Sequence, residues 1–364
     1  MLRRCWASSV SAKPKTAVVL FNLGGPDRLE AVRPFLTNLF SDPAILSLPG
    51  PLRWLLARRI AAKRTKIAQS IYAELGGGSP ILANTEVQAQ ALETQLGTGH
   101  KVFICMRYWH PMAAEVADAV RDFGPDRIVL LPLYPQYSTT TTASSFADWH
   151  RAAAHSGLSA ETSAVCCFPD ESGFVGALAN RIVPLISKAR ESEPKNGKTT
   201  LRVLLSAHGL PKRVIARGDP YQWQVETTAA AVAKRLGEEL GLAKDDCIVC
   251  YQSRVGPLEW IGPSTDDEIK RAGRDGTALV VAPVAFVSEH SETLVELDVE
   301  YAELAREAGV PLYLRAPTVD ADEAFIGGLV RLVNAASRAG NGCMSGNGAR
   351  ICPSSWQGCA LPAA

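Results

Sequence analysis

A histidine stands in Ser206-Ala207-His208-Gly209-Leu210-Pro211, after an apolar run that ends at Leu205. The spacing puts His208 two or three residues past a strand, on a tight turn. Imidazole there accepts protons near neutral pH or ligates a borderline metal; a plain hydrogen-bonded turn histidine is the equal alternative. A second constellation, Ser288-Glu289-His290-Ser291-Glu292-Thr293-Leu294, opens a helix. Glu289 and Glu292 fall in its first turn, where the dipole favours carboxylates by about 0.3–1 kcal/mol each. Further on, Leu294, Leu297, Tyr301 and Leu304 make a core stripe, while Glu292, Glu296, Glu300 and Glu303 share another face. Such a row is ordinarily solvated. With its first turn in a cleft, the same row, with Glu289 beside it, is an acidic ramp for a divalent cation.

Those residues need elements to hold them. Apolar, β-branched runs recur at Thr16–Phe21, Val102–Met106, Arg127–Leu131, Ala164–Phe168, Arg202–Leu205, Ile248–Gln252 and Ala278–Ala282, with a weaker one at Leu312–Arg315. Helical patterns such as Ala113–Arg121, Val225–Leu240 and Glu292–Ala308 lie between them. Alternation of this kind predicts an α/β fold of parallel sheets flanked by helices, and wholly apolar strands suit sheets covered on both faces. The halves echo each other. AVVLFNLGGP matches RVLLSAHGLP, ICMRYWHP matches VCYQSRVGP, and IVLLPLYPQYS matches LVVAPVAFVSEHS, in the same order. Two similar lobes are therefore expected: residues 16–155, joined by a C-terminal helix at 319–339, and residues 156–318. Ligands of such sheets bind outside the carboxyl ends of the strands, here between the lobes.

Composition narrows the class further. The chain has 364 residues, 47% apolar and 21% charged, with 38 Lys and Arg against 37 Asp and Glu. That is ordinary for a folded protein, and the balance carries no basic excess of the kind nucleic-acid binding requires. No apolar run reaches the roughly 18 residues of a membrane span. Nine scattered cysteines fit a reducing compartment better than a secreted disulfide scaffold. Residues 1–15 are a basic extension, read as a frayed terminus rather than a leader. Pro51–Leu75 is a basic stretch in which Leu52, Trp54, Leu55, Leu56 and Ile60 stand beside Arg53, Arg58, Arg59, Lys63 and Arg64. It is read as a lip that rests on anionic lipid, with a core-packing helix as the alternative. No GxGxxG follows the first strand, which disfavours a dinucleotide enzyme.

Taken together, several segments resemble ferrochelatase: NLGGP (Asn22–Pro26), YAELGGGSP (Tyr72–Pro80), MRYWHP, PQYSTTTTASS (Pro135–Ser145), SAHGLP, RGDPY (Arg217–Tyr221), YQSRVGPLEWIGPST (Tyr251–Thr265) and SEHSETLVELDVEY (Ser288–Tyr301). They run in order through roughly residues 16–335. The resemblance implies two Rossmann-like lobes around a porphyrin cleft, and ferrous iron insertion into protoporphyrin IX to form haem. His208 and Glu292 match the family's facing metal-site pair, with His208 as proton acceptor or passing iron ligand. Arg64, Tyr72 and Ser79 match porphyrin-contacting positions, a guanidinium suiting a propionate. Leu23, Arg107, Tyr108, Trp260 and Phe286 match further cleft positions. An apolar Leu23, where coproporphyrin-type relatives tend to carry tyrosine, suggests protoporphyrin. Rival readings are a coproporphyrin ferrochelatase, a cobalt chelatase, or a non-catalytic tetrapyrrole-binding protein.

Animal-type members hold a [2Fe–2S] cluster through an internal cysteine and a compact C-terminal trio. Here the tail, residues 340–364, spaces its thiols more widely, as Cys343-x8-Cys352-x6-Cys359. The tail has no apolar periodicity and is expected to be disordered or cross-linked. Three thiols there suggest a soft metal centre, an iron–sulfur cluster ahead of zinc or free thiols. Cys166 or Cys167 at a strand end would supply the fourth ligand; neighbouring strand side chains point to opposite faces, so at most one should reach. Cys105, Cys247 and Cys250 look like small buried strand residues. The expected location is cytoplasmic with peripheral contact to the inner membrane, and a homodimer is left open.

Overall fold

The computed structural model describes residues 14–191, 200–254, 256 and 258–363. Almost all of the basic extension 1–15 lies outside the described residues. From β1 (Thr16–Asn22) the chain passes through α1 (Val32–Ser41), α2 (Gly50–Glu74) and α3 (Ile81–Leu96) to β2 (His100–Met106). Then follow α4 (Ala113–Phe123), β3 (Arg127–Pro132), α5 (Thr142–His155), β4 (Glu161–Cys167) and α6 (Ser172–Glu191). The second run is β5 (Leu201–His208), α7 (Lys212–Ala216), α8 (Tyr221–Leu240), β6 (Cys247–Gln252), α9 (Thr265–Asp275) and β7 (Ala278–Pro283). It closes with α10 (Ser291–Leu294), a π-helical turn at Glu296–Glu300, α11 (Tyr301–Glu307), β8 (Tyr313–Arg315), α12 (Glu323–Ala339) and β9 (Gly342–Ser345).

The strands form two parallel sheets, ordered β2-β1-β3-β4-β9 and β6-β5-β7-β8. Apart from β9 the two orders are the same, each starting in the middle and reversing direction of growth beside its first strand. The echo between the halves is thus an echo of topology. All residues of β1 and β7 are buried, as parallel strands covered by helices on both faces must be. The helices are stopped by ordinary chemistry. α4 and α9 end on Gly124 and Gly276 in the left-handed region, and α9 begins on Ser264, whose hydroxyl accepts the Asp267 N–H.

Two expectations need correction. A lobe boundary at 155/156 falls before β4, yet β4 pairs with β3 and so belongs to the first sheet. The change of sheet comes between β4 and β5. The tail, in turn, is neither disordered nor without regular structure: Gly342–Ser345 adds a fifth strand beside β4, with Ala164 opposite Cys343. Met344 and Ser345 are buried there. Backbone pairing with an existing strand edge supplies the order that the tail's own apolar content could not. Arg350 then gathers the carbonyls of Cys352, Pro353, Trp356 and Leu361 around its guanidinium. Helix α12 packs back on α6 and α3. Among the described residues no helix is long and apolar enough to cross a membrane.

Candidate active site

His208 is the last residue of β5, not a residue beyond it, because the ladder continues to pair His208 with Gln252. This is the strand at which the second sheet reverses order, between β6 and β7, where open α/β sheets bind ligands. The imidazole Nδ1 lies 2.8 Å from Glu292 Oε2. The side chains of His208 and Glu292 are 37% and 28% exposed, so the pair is recessed yet reachable. Partial burial by itself would lower the histidine, but the facing Glu292 carboxylate outweighs it and holds His208 above its ordinary value. Conversely, burial would raise Glu292, and the His208 charge and hydrogen bond hold it well below the usual carboxylate range. Each group thus favours the charged form of the other.

Glu292 reaches this place on α10, whose start is fixed by His290 and Thr293: the His290 N–H donates to Thr293 Oγ1 at 2.9 Å. The helix does not then continue as a regular α-helix. The N–H groups of Val299 and Glu300 both lie 3.0 Å from the Val295 carbonyl, which widens one turn into a π-helix, a feature frequent at functional sites. The expected i, i+4 row is therefore split. Glu292 and Glu296 both meet Ser253, whose hydroxyl lies 3.3 Å from Glu292 Oε2 and 2.5 Å from Glu296 Oε2. Glu300 and Glu303 turn to solvent. Glu289 leaves the row as well, its Oε1 accepting from Arg315 at 2.6 Å and from the Thr318 N–H at 2.9 Å. Burial, and then the Glu292 charge, raise Glu296, so the two carboxyls differ in proton affinity. Of the core stripe, Leu297 and Tyr301 are buried while Leu294 and Leu304 are only partly so.

The facing wall comes from the first sheet. Leu23 follows β1, its N–H accepted by Asn22 Oδ1 at 2.8 Å. The turn after it needs its glycines: Gly24 has φ +81°, and a Cβ on Gly25 would fall 2.6 Å from Ser79 Cβ. Ser79 is drawn close by its N–H to the Pro26 carbonyl, 2.7 Å. Tyr72, near the end of α2, crosses to the other lobe and hydrogen-bonds Ser291; burial, with Glu292 nearby, pushes its hydroxyl up to about 12, so it stays neutral. Arg64 lies exposed on α2 with its guanidinium 5.6 Å from the Phe40 ring centroid. Phe286 sits edge-on to His290, 4.6 Å between rings. Trp260 stands beside the Gly209 turn, with a buried Nε1 that has no hydrogen-bond partner among the described residues.

Arg107 and Tyr108 share a carboxylate. Tyr108 is 1% exposed, and its hydroxyl donates to Asp42 at 2.8 Å. Arg107 donates to Asp42 and Ser144 at 2.8 and 2.7 Å. Asp42 anchors both. Nothing in a lone Asp after a helix signals this. Gln252 and Ser253 were likewise illegible as site residues, although they sit in YQSRVGP. Gln252 is buried and donates to the Glu292 carbonyl and Glu296 Oε2, 3.0 Å each. Across the cleft, Gln88 of α3 donates to the carbonyls of Val287 and Asp320 at 2.9 and 3.0 Å, fixing the loop that carries Phe286 and Glu289. Two open surface cavities of about 470 and 580 Å³ lie beside α4–α5 and beside Trp260; neither includes the His208–Glu292 pair.

The tail cysteines converge on the end of β4. A register shift after Val165 brings Cys166 and Cys167 Sγ atoms to 3.8 Å, so the two side chains do not diverge as a regular strand would have them. Cys343 lies on the strand beside β4, opposite Ala164, and Cys352 Sγ accepts from Gln224 Nε2 at 3.1 Å. Ile351, Ala360 and Leu361 pack on Tyr137, Cys166 and Cys167. Neighbouring thiols and burial raise Cys166, and burial raises Cys352. Among the described residues no three His, Cys, Asp or Glu side chains are already gathered as a metal cage.

Two parallel sheets of the same strand order, with a His–Glu pair at the carboxyl end of one, define a two-lobed chelatase fold. Among solved structures, SirB from Bacillus subtilis with Fe3+ matches with a TM-score of 0.53 and 14% identity, covering 89% of this chain and 97% of that one. Sirohydrochlorin chelatase SirB from Bacillus subtilis subspecies spizizenii in complex with cobalt matches with the same TM-score and 11% identity, covering 89% and 96%. The family is fixed by sequence: the ferrochelatase family model matches residues 15–337, and the chain belongs to the ferrochelatase family. It is 52% identical to a ferrochelatase of Phenylobacterium zucineum over 95% of this chain and 98% of that one. A ferrochelatase of Caulobacter vibrioides is 51% identical over 95% and 97%.

Proposed function

We propose that this metal chelatase inserts ferrous iron into protoporphyrin IX, with His208 and Glu292 as the groups that meet the macrocycle's nitrogens. The observation that carries the reading is the 2.8 Å His208–Glu292 pair, recessed at the switch point of the second sheet. With Nδ1 held by Glu292, Nε2 is the nitrogen left to face a ligand. Metallation removes two pyrrole protons, which His208 in its neutral form accepts one at a time, passing the first on to solvent before it takes the second, while Glu292 stabilises the imidazolium formed each time. Glu292 and Glu296, joined through Ser253, supply hard oxygen donors along the approach of ferrous iron. Tyr72, Ser79, Leu23, Trp260 and Phe286 bound the macrocycle, and Arg64 takes a propionate. A distorted ring would expose nitrogen lone pairs to the metal. Leu23 packs with Tyr72, Tyr108 and Trp109, an apolar setting that suits vinyl groups better than extra propionates.

The assay is spectroscopic: protoporphyrin or coproporphyrin with ferrous iron or cobalt, under anaerobic conditions. Preferential consumption of protoporphyrin with iron supports the reading. Preference for coproporphyrin or cobalt selects the rival chelatases, and binding without metallation selects a carrier.

The [2Fe–2S] cluster is part of the same proposal. Strand β9 carries Cys343 alongside β4, and Ile351, Ala360 and Leu361, sequence neighbours of Cys352 and Cys359, pack on Cys166 and Cys167, so the tail brings to the end of β4 residues of the all-thiolate kind that such a cluster takes. When bound, the cluster would supply a cross-link between tail and first sheet. The raised thiols mean that binding displaces protons.

Helix α2 supports membrane contact. The side chains it buries are Ala57, Ala61 and Tyr72, while Leu52, Trp54 and Leu55 are 53%, 54% and 51% exposed. Arg58 stacks 4.0 Å from the Trp54 ring centroid. A core-packing helix would bury its large residues and expose the small ones; this one does the reverse among basic side chains, as a lip on anionic lipid would. The location that goes with this reading is the cytoplasm, peripheral to the inner membrane.

A further inference from the structure

We propose that Tyr221 is a positioning residue for His208, and that the C-terminal tail acts on iron insertion through it. The inference rests on the assignment of His208 as the proton acceptor. Tyr221 is buried at the start of α8, and its hydroxyl donates to the His208 carbonyl at 3.0 Å. That carbonyl is the last one of β5 before the Gly209-Leu210-Pro211 turn, so the Tyr221 bond fixes the backbone from which the imidazole projects. Burial keeps the phenol neutral and a donor.

Tyr221 is itself held from both sides. Its N–H donates to Asp219 Oδ1 at 2.9 Å, while Asp219 Oδ2 accepts from Ser138 Oγ and from the Thr139 N–H at 2.9 and 2.7 Å. The same carboxylate therefore ties Tyr221 to the loop after β3 in the other lobe. The tail grips the segment just before and just after it. The Gly358 N–H donates to the Gly218 carbonyl at 2.9 Å, and Gln224 Nε2 donates to Cys352 Sγ at 3.1 Å. Contact with the tail thus brackets Tyr221 at three residues on either side. Gly358 has no room to spare, since a Cβ there would lie 2.8 Å from the Gly218 carbonyl oxygen. A shift of the tail is passed to Gly218, Asp219 and Tyr221, and from the Tyr221 hydroxyl to the backbone of His208. Small displacements of a reacting group are expensive in rate.

The experiment is a double-mutant cycle on the full chain, with Tyr221→Phe, Gly358→Ala and the pair, read as kcat and porphyrin KM for iron insertion beside thermal midpoints. Loss of one hydrogen bond that aims the acceptor corresponds to about a 3- to 10-fold fall in kcat. Tyr221→Phe should show that fall with porphyrin KM within about twofold of wild type, because nothing that touches porphyrin has changed. Gly358→Ala should lower kcat as well, and by much less when Tyr221 is already Phe. Unchanged kcat in Tyr221→Phe, a rise in KM that accounts for the loss, or equal cost of Gly358→Ala in both backgrounds overturns the proposal. His208→Ala in the same assay separates the layers. If it is as active as wild type, the acceptor assignment fails and takes this inference with it; if it is inactive, the cycle judges Tyr221 alone.

Discussion

Replacing Glu292 with glutamine removes a charge from the site and almost no volume. The structure says what that does to His208. Burial lowers the imidazole, while the Glu292 carboxylate, 2.8 Å away, and to a lesser degree Glu296 lift it above its ordinary value of about 6.5. In wild type, proton acceptance requires the neutral imidazole, so kcat/KM should fall as pH drops through that raised value. In Glu292→Gln the larger lift is gone, and burial is left against only the smaller pull of Glu296, so the acid limb should move to lower pH. The plateau should fall too. A hydrogen bond to a charged partner contributes about 1.5–3 kcal/mol and a neutral one about 1. The difference, roughly 0.5–2 kcal/mol in a transition state that carries imidazolium, is about a 2- to 30-fold loss of rate. Screening at the recessed but exposed pair favours the lower figure. The measurement is the pH profile of anaerobic iron insertion for both proteins, with porphyrin binding followed by fluorescence as a check on the fold. An acid limb that stays where it was would refute the pairing argument, whatever happens to the plateau.

Other outcomes follow from the same geometry. Asp42→Asn takes from Arg107 the nearer of its two carboxylates in a nearly closed site and leaves it Asp148; at a cost of up to about 3 kcal/mol for a broken buried pair, the thermal midpoint of a chain this long should fall by up to about 4 °C, and an unchanged midpoint would remove Asp42 as the anchor of Arg107 and Tyr108. Trp54→Glu and Leu55→Glu should abolish flotation with phosphatidylglycerol-rich vesicles; equal binding by wild type and both variants rejects the lip, and a dimer lost in the variants by sedimentation velocity would assign the face to self-association. Purified anaerobically, the protein should be reddish-brown and bleached by dithionite, Cys352→Ser should be colourless, and Cys247→Ser should keep its colour. Protein with neither iron nor sulfide after reconstitution would leave the thiols free.

Much of this was legible in the sequence because the strands are nearly all apolar and the helices between them periodic. Thr16–Asn22 and Ala278–Pro283 could only be strands covered on both faces. His208 and Glu292 stood out by their positions at strand and helix boundaries. What escaped has physical causes. The periodicity of residues 292–304 is that of an α-helix, and only the carbonyl of Val295, shared by two N–H groups, turns it into the π-turn that brings Glu296 to Ser253. Ser253 adopts φ +59° without being glycine, held by hydrogen bonds to distant residues that no local pattern encodes. The tail strand Gly342–Ser345 borrows its order from the edge of β4. Arg107 and Tyr108 match cleft positions of the resemblance, but that Asp42, far away in sequence, accepts from both is written in no local pattern.

The measurement closest to the centre of the account is ferrous iron insertion into protoporphyrin by wild type and His208→Ala, followed anaerobically by the loss of porphyrin fluorescence and the growth of the haem spectrum. Wild type should metallate protoporphyrin. The variant should still bind it but turn over about 10²–10⁴-fold more slowly, the usual consequence of losing a general base. Metallation by His208→Ala at the wild-type rate, or none by wild type, would contradict it.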